Sequence, residues 1–155
     1  MGVDKKGTLT YVQLMKEDLA VFRLVPEDGV IPDYEAGQFI TLGMPIPSEN
    51  NKIVRRAYSM ASHPENKKFI ELVIRWVRKP LPGRVTSALF NSGEGDEVSW
   101  IPPTGAALKI NEKMGDGSKD ERRIVCVSGG TGIAPFMSFA RHLRAIGDKR
   151  EIVCL

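Results

Sequence analysis

The chain has 155 residues, of which 42% are hydrophobic and 26% are charged, and its net charge is +3. Such a composition is ordinary for a soluble globular protein and leaves room for one domain with a sizeable core, or one domain and part of another. The charge is small and the basic residues are scattered, which argues against a nucleic-acid-binding protein. Since no apolar stretch is long enough to span a bilayer, we expect no membrane insertion.

The cysteines and histidines indicate neither a disulfide nor a metal site. Cys126 and Cys154 lie far apart in short apolar runs, which predicts two reduced, buried thiols in a cytoplasmic protein. Because no closely spaced pair of cysteines and no His/Cys cluster occurs, we predict no metal on this chain. His63 and His142 are predicted to be surface residues.

Residues 1 to about 110 predict mainly strands. Apolar, β-branched runs alternate with short turns rich in Gly, Pro and charged residues. Several short strands at modest spacing favour an antiparallel barrel or sandwich. The predicted strands lie within residues 9–26 (two runs), 36–45, 69–77 and 96–102.

One helix is predicted among these strands, in the sequence GRVTSALFNSG at 83–93. Val85, Leu89 and Phe90 fall on one face of such a helix, and Gly93 is a plausible end for it.

Residues 111–123 are charged and lack apolar periodicity, which predicts an exposed connection between domains. The sequence RIVCVSGG that follows predicts a strand buried on both faces of a parallel sheet. We therefore expect three parts: a barrel domain at 1–110, a linker at 111–123, and the beginning of an α/β domain at 124–155.

The α/β part reads as strand, glycine turn, helix and strand, which is one βαβ unit. Pro135 suits the first turn of the helix, and Gly147 lies just past its end. Because one such unit cannot complete its own core, we expect the chain to be a fragment of a longer protein. The predicted apolar stripe of the helix is Phe136, Phe139, Ala140, Leu143 and Ile146.

The glycine turn SGGTGIAP, at 128–135, lies between a buried strand and a helix. Glycines there let backbone N–H groups approach a pyrophosphate, and the helix N-terminus favours an anion. It is not the standard dinucleotide fingerprint, because Pro135 stands in place of the third glycine. A tight turn that binds no ligand is the alternative.

The sequence RRAYSMAS, at 55–62, places polar groups in an apolar strand. An arginine beside a flat aromatic side chain suits a ligand that has both a phosphate and a planar ring. The alternative is a solvated strand face. On a regular strand Ser59 points to the face opposite Arg56 and Tyr58, so it reaches the same ligand only through its backbone, a bulge or the strand end. A regular strand puts alternate residues on one face, here Arg56, Tyr58, Met60 and Ser62.

Two of these motifs resemble one known family. RAYSMAS is similar to the flavin signature of the ferredoxin–NADP reductase superfamily, and GGTGIAPF is similar to its pyridine-nucleotide loop. The two motifs occur in the family's order. Three intermediate pieces also match: AGQFITL, GRVTSALF and PPTG. The resemblance covers nearly the whole chain.

The resemblance implies an antiparallel Greek-key flavin-binding β-barrel with a short helix, followed by the first βαβ unit of an α/β nucleotide-binding domain. It implies an NAD(P)H oxidoreductase that passes a hydride from nicotinamide to flavin. Electrons then go to a one-electron acceptor such as ferredoxin, flavodoxin or an oxygenase component. FAD is the expected cofactor, with FMN possible, and the choice between NADPH and NADH stays open.

The resemblance also implies residue roles. Arg56 contacts the flavin phosphate, Tyr58 lies against the ring, and Ser59 bonds near its N5, so that Tyr58 and Ser59 are the predicted catalytic residues. Thr86 stands where relatives often have Ser and keeps the hydroxyl. The other predicted cofactor-binding residues are Ser62, Val73, Ile74 and Arg75 beside the flavin, Gly83, Arg84, Val85 and Thr86 around its phosphate, and Gly130, Thr131 and Gly132 for the nicotinamide nucleotide.

Two other functions fit the same residues. One is a flavin-binding module without turnover of its own. The other is an electron-transfer subunit whose acceptor is a cluster on a partner chain.

Overall fold

The computed structural model of the chain describes residues 4–78, 80–106 and 108–155. Its strands are β1 (Lys5–Lys16), β2 (Leu19–Pro26), β3 (Phe39–Ile46), β4 (Lys52–Ser59), β5 (Ile70–Arg75), β6 (Glu97–Thr104), β7 (Ile124–Cys126) and β8 (Ile152–Cys154). The helices are α1 (Arg84–Phe90) and α2 (Ala134–Ala145), and short 3-10 turns occupy Pro47–Glu49 and Gly130–Ile133.

Strands β1 to β6 form one antiparallel sheet in the order β4-β3-β6-β1-β2-β5. The two outer strands meet just after β4, where Met60 pairs with Leu72 and the Ala61 N–H donates to the Glu71 carbonyl at 2.8 Å. This contact closes the sheet into a barrel, so that neither outer strand is left as a free edge at that point. The predicted antiparallel barrel is confirmed.

Alternation along the strands fills the barrel. In β5, Ile70, Leu72 and Ile74 point into the core, as the period of two predicts. Trp100 of β6 is fully buried and donates its indole N–H to the Lys6 carbonyl at 3.1 Å, which satisfies the one polar atom of that side chain.

Helix α1 packs on the barrel through Val85 and Leu89, which are buried, and through half-buried Phe90. The Phe90 ring lies edge-on to Phe22, with ring centroids 5.8 Å apart, and stacks on Trp76 at 5.4 Å. The predicted apolar face is therefore confirmed, although the helix ends at Phe90, before Gly93.

The second unit is a parallel pair, β7 and β8, connected by α2. The prediction that the strand in RIVCVSGG is buried on both faces is wrong, since Val125 of β7 is 56% exposed and Val127, just after β7, is 73% exposed. Within the described residues this sheet has two strands, and α2 covers one face through Phe139 packed on Cys126. A buried parallel strand needs cover on both faces.

Three finer predictions for this unit have mixed outcomes. Cys126 is buried, as predicted, but Cys154 is exposed, against the prediction. Pro135 lies in the first turn of α2, as predicted, and Gly147 adopts a left-handed φ of 72° beyond its end. Ile146 follows the last helical residue and is 53% exposed, so it does not belong to the buried stripe.

The connection at 111–123 is mostly exposed, as predicted, and it contains a small hairpin in which Lys113 pairs with Lys119. Asp120 is the buried exception, since its carboxylate accepts hydrogen bonds from the Arg122 guanidinium at 2.7 and 2.8 Å. The domain limits themselves stay a prediction. Residues 1–3, 79 and 107, which the predicted barrel domain includes, lie outside the described residues.

In the part of the chain that the structure describes, no helix has the length and apolarity needed to cross a membrane.

Candidate functional site

The RRAYSMAS sequence forms the end of β4 and the connection to β5. Tyr58 pairs with Ile40 of β3, and Arg56 pairs with Leu42. Met60 is fully buried because the barrel closes at that residue, whereas Arg56 is exposed. The alternate residues of this stretch therefore pass from an exposed surface at Arg56 to the protein interior at Met60.

Tyr58 is the most unusual residue of the strand. Its ring packs against the barrel core, yet its hydroxyl is buried and has no hydrogen-bond partner among the described residues. Burial raises the pKa of Tyr58 to about 12, against a smaller opposing effect of the Arg56 charge. Buried polar atoms in native proteins nearly always have partners. The hydroxyl of Tyr58 thus retains an unused hydrogen-bonding capacity on the strand that carries RRAYSMAS.

The two serines of the sequence differ. Ser59 is half-buried at the last position of β4. Ser62 is buried, and its Oγ accepts hydrogen bonds from the Tyr34 hydroxyl at 3.2 Å and the Glu71 N–H at 3.1 Å. The described contacts of Ser62 thus stabilise the barrel, and its predicted contact with a cofactor stays a prediction.

Arg56 differs from other arginines of this region in its partner. Its Nη1 donates to the carbonyl of the preceding residue at 2.8 Å, which leaves further N–H groups of the exposed guanidinium directed to solvent. An exposed guanidinium with spare donors can bind a phosphate through two bonds. Three other arginines contact carboxylates instead: Arg55 with Asp4, Arg75 with Asp18 and Arg84 with Glu49.

The predicted flavin-lining residues of β5 occupy different positions. Ile74 is buried in the core, so only its backbone is available to a ligand. Val73 is half-buried and Arg75 is exposed, on the outer face of the strand. The predicted contacts of Val73, Ile74 and Arg75 with the flavin stay a prediction.

The corner before α1 is tightly built around Gly83. A Cβ at this position would stand 2.6 Å from the Thr86 Oγ1 and 3.1 Å from the Val77 Cβ. The Thr86 hydroxyl donates to the Gly83 carbonyl at 3.1 Å, and Val85 is buried beneath. Arg84 is exposed, and its guanidinium meets both carboxylate oxygens of Glu49 at 2.8 and 2.9 Å.

The glycine turn lies over the end of β5. Gly130 has a left-handed φ of 55°, and a Cβ placed on it would come within 4.0 Å of the Arg75 Nη1. Thr131 is half-buried and Gly132 is exposed, and the Gly132 N–H donates to the Gly129 carbonyl at 3.1 Å. The fold therefore brings the turn next to the strand that follows the RRAYSMAS sequence.

Sequence reasoning missed a polar junction between the barrel and α2. His63 and His142 are half-buried and contact the two oxygens of Glu65, at 2.9 and 2.8 Å, instead of lying free on the surface. Glu71 is buried and contacts Arg23 and Arg141. The signal in the sequence was a carboxylate in the middle of the apolar strand FIELVIRWV, although its partners are far away in the chain.

A cavity of about 940 Å³ lies elsewhere, between the loops near residues 34–36 and 64–65, the linker and the end of α2. None of the predicted cofactor residues lines it. Among the described residues, no group of His, Cys, Asp and Glu side chains has an arrangement that could hold a metal ion.

Comparison with known proteins gives one family match. Residues 6–108 match the family described as the oxidoreductase FAD-binding domain. A flavohemoprotein of Bordetella pertussis is 31% identical over 137 residues, which cover 87% of this chain and 32% of that protein. The reductase component of a propane 2-monooxygenase from Mycolicibacterium goodii is 29% identical over 150 residues, which cover 95% of this chain and 38% of that protein.

Among solved structures, the FAD/NAD binding domain of a nitric oxide dioxygenase from Vibrio cholerae superposes with a TM-score of 0.81 at 24% identity. The superposition covers 97% of this chain and 60% of that one, and at this identity it shows a shared fold. The chain spans about a third of the length of the curated relatives that it matches.

Proposed function

Because this chain belongs to the oxidoreductase FAD-binding domain family, we propose that it is the flavin-holding part of an NAD(P)H-dependent reductase. The family match confirms FAD as the predicted cofactor and the predicted resemblance to ferredoxin–NADP reductases. The reductant, the acceptor and the residues that carry each role are our proposal. When bound, FAD would accept a hydride from NAD(P)H and release the electrons one at a time.

The single observation that supports the site is the unpartnered Tyr58 hydroxyl. It is buried at the side of the barrel where Arg56 offers spare guanidinium donors, so an aromatic face, a phenol and a phosphate-binding group lie along one strand. A ligand with a flat ring and a phosphate satisfies all three groups. The residues present therefore fit FAD.

Each residue has a distinct task in this proposal. Arg56 holds a phosphate oxygen, Tyr58 orients the ring by contact with its face, and Ser59 at the strand end donates a hydrogen bond to a ring nitrogen. The first turn of α1, at 84–86, supplies backbone N–H groups for the phosphate. The turn at 130–132, which lies next to the end of β5, would bind the nicotinamide nucleotide.

The acceptor is proposed from the relatives. One of them is named as the reductase component of a monooxygenase, which supports an oxygenase component as the electron acceptor, and ferredoxin or flavodoxin are the other candidates. Two free cysteines and a need for reduced pyridine nucleotide favour a cytoplasmic location.

The proposal is tested by anaerobic reduction. The purified chain is loaded with FAD, and the flavin band at about 450 nm is followed after NADH or NADPH is added, with dithionite as a reductant that needs no nucleotide site. We expect both dithionite and one nucleotide to bleach the band. Bleaching by dithionite alone would refute nucleotide turnover by this chain and favour a flavin-binding module.

A further inference from the structure

Helix α2, which begins directly after the glycine turn, is packed onto the barrel at several points. Gly37 of the barrel approaches it so closely that a Cβ there would stand 2.8 Å from the Phe139 Cε1. Ala36 belongs to the same apolar cluster as Phe139. These contacts bring the two units together, but apolar packing alone allows a helix to slide or rotate by small amounts.

A polar clamp defines the position of α2 more sharply. The Arg141 Nη1 donates to the Glu71 Oε1 at 2.7 Å and to the Ala61 carbonyl at 2.8 Å. The Arg23 Nε donates to the other carboxylate oxygen at 2.9 Å. Glu71 is only 5% exposed, and charge-assisted bonds at such a site are strongly directional.

The barrel end of this clamp is rigid. The Glu71 N–H donates to the Ser62 Oγ at 3.1 Å, and its carbonyl accepts from the Ala61 N–H at 2.8 Å. Arg23 is itself held between two aromatic rings, 4.4 Å from the centroid of Tyr11 and 4.2 Å from that of Phe69. The carboxylate is thereby fixed to the last residues of the RRAYSMAS sequence.

Glu71 stays ionised in this setting. Burial acts to raise the pKa of its carboxyl, but the bonds from Arg141 and Arg23 outweigh burial and hold the pKa below its ordinary value. The ion pair of Glu71 with Arg141 therefore persists at neutral pH.

Strand β5, which carries Glu71, also contacts the glycine turn before α2. Arg75 lies four positions after Glu71 and on the same outer face of β5, roughly 13 Å further along. Arg75 lies beneath Gly130, which begins the segment 130–145 formed by the glycine turn and α2. Strand β5 thus meets this segment twice, at Arg141 and at the glycine turn, and two points define the direction of a helix.

We infer that Arg141 is a positioning residue, which fixes the glycine turn relative to the flavin strand by joining the buried Glu71 carboxylate to the Ala61 carbonyl. This inference rests on the proposed function, because it assigns to the clamp the alignment of nicotinamide and flavin. Misplacement of reacting groups by about an ångström lowers rates by orders of magnitude.

The test uses the whole chain loaded with FAD and the variant Arg141→Ala. Glu71 keeps Arg23 as a partner in this variant, which favours folding. Arg141→Lys keeps the charge but loses the planar fork, and Arg144→Ala removes an exposed arginine from the same helix as a matched control.

We expect Arg141→Ala to bind FAD with unchanged affinity and to be reduced by dithionite at the normal rate, while reduction by the nucleotide slows about tenfold or more. Arg141→Lys should recover part of that loss, and Arg144→Ala should behave as the native chain. Nucleotide-dependent reduction of Arg141→Ala at the native rate would overturn the inference. A parallel loss of FAD affinity would also overturn it, since that indicates a merely structural role.

Hydrogen exchange separates this inference from the proposed function. If the native chain takes up FAD but no nucleotide reduces it, the proposed function fails for this chain, and the role of the clamp in alignment fails with it. Amide exchange then tests separately whether the clamp connects α2 to the barrel. In Arg141→Ala, exchange at residues 130–145 should rise about tenfold with the strands β1 to β5 unchanged, and unchanged exchange at 130–145 would refute the connection itself.

Discussion

The barrel and the βαβ unit bury their apolar strands to different extents. Strands of both units are apolar in sequence, but the barrel buries its inward side chains, whereas Val125 of β7 and Val127 just after it are exposed. The barrel closes on itself at Met60 and Leu72, so every inward residue finds neighbours. In the second unit, among the described residues, two strands and one helix provide cover on one face. An apolar run thus predicts a strand, but closure of the surrounding sheet decides whether it is buried.

The largest difference between the units is expected in stability. Leu72→Ala, at a fully buried barrel position, should lower the free energy of unfolding by about 2–5 kcal/mol, because it leaves a cavity in a closed core. The matched variant Leu155→Ala removes the same atoms from an exposed side chain of the second unit and should change stability by less than about 0.5 kcal/mol. Urea unfolding of both variants measures the contrast. Equal losses would contradict it.

The next effect concerns the ligand-binding side of the barrel. Arg56→Ala should weaken FAD binding by roughly 1.5–3 kcal/mol, or about 10- to 150-fold, because a charge-assisted contact to phosphate is lost. Arg55→Ala, which removes the neighbouring arginine that contacts Asp4, is the matched control and should leave FAD affinity nearly unchanged. Isothermal titration with FAD compares the two. A larger loss in Arg55→Ala would place the phosphate elsewhere.

Much of this fold follows from local pattern, and the exceptions share one cause. The alternation of Ile70, Leu72 and Ile74 and the apolar face of α1 depend on short-range periodicity, which a sequence displays. The burial of Glu71 depends on Arg141, which lies 70 positions later in the chain, and no local pattern indicates that contact. The exposure of Val125 and Cys154 likewise depends on which strands lie beside them.

In the candidate site, too, the sequence indicated residue types but not the contacts that the folded chain makes. The RRAYSMAS and SGGTGIAP sequences suggested phosphate-binding and ring-binding groups by residue type, and only the resemblance to a known family assigned roles to their residues. The sequence could not show that Ser62 bonds to Tyr34 and Glu71, or that Arg84 pairs with Glu49, because these contacts arise only when the barrel closes.

Two tyrosines with buried hydroxyls distinguish a structural hydroxyl from a ligand-binding one. Tyr34→Phe should cost about 1 kcal/mol of unfolding free energy, since its hydroxyl donates to the Ser62 Oγ. Tyr58→Phe should cost nothing in the FAD-free chain, because the hydroxyl removed has no partner among the described residues. Urea unfolding without FAD compares the two variants. A clear loss in Tyr58→Phe would show that the hydroxyl has a partner within the protein.

The same tyrosines predict an effect of alkaline pH on stability. Burial raises the pKa of Tyr34 and of Tyr58 to about 12. The folded state therefore keeps both hydroxyl protons at pH values where tyrosines of the unfolded chain, with an ordinary pKa of about 10, lose them. The stability that they contribute is complete below pH 10 and is lost as the pH rises through about 12. Unfolding free energies measured across this range should fall less steeply in either Phe variant. An unchanged slope in both would contradict burial of the phenols.

The central claim is that the barrel binds FAD along the RRAYSMAS strand. The most direct measurement is a titration of the purified chain with FAD, after removal of any bound flavin, monitored by the flavin absorption bands at about 375 and 450 nm. The account predicts saturable binding at one FAD per chain, with bands shifted from those of free FAD and a marked loss of affinity in Arg56→Ala. A spectrum identical to free FAD at every ratio, for a chain shown to be folded, would contradict it.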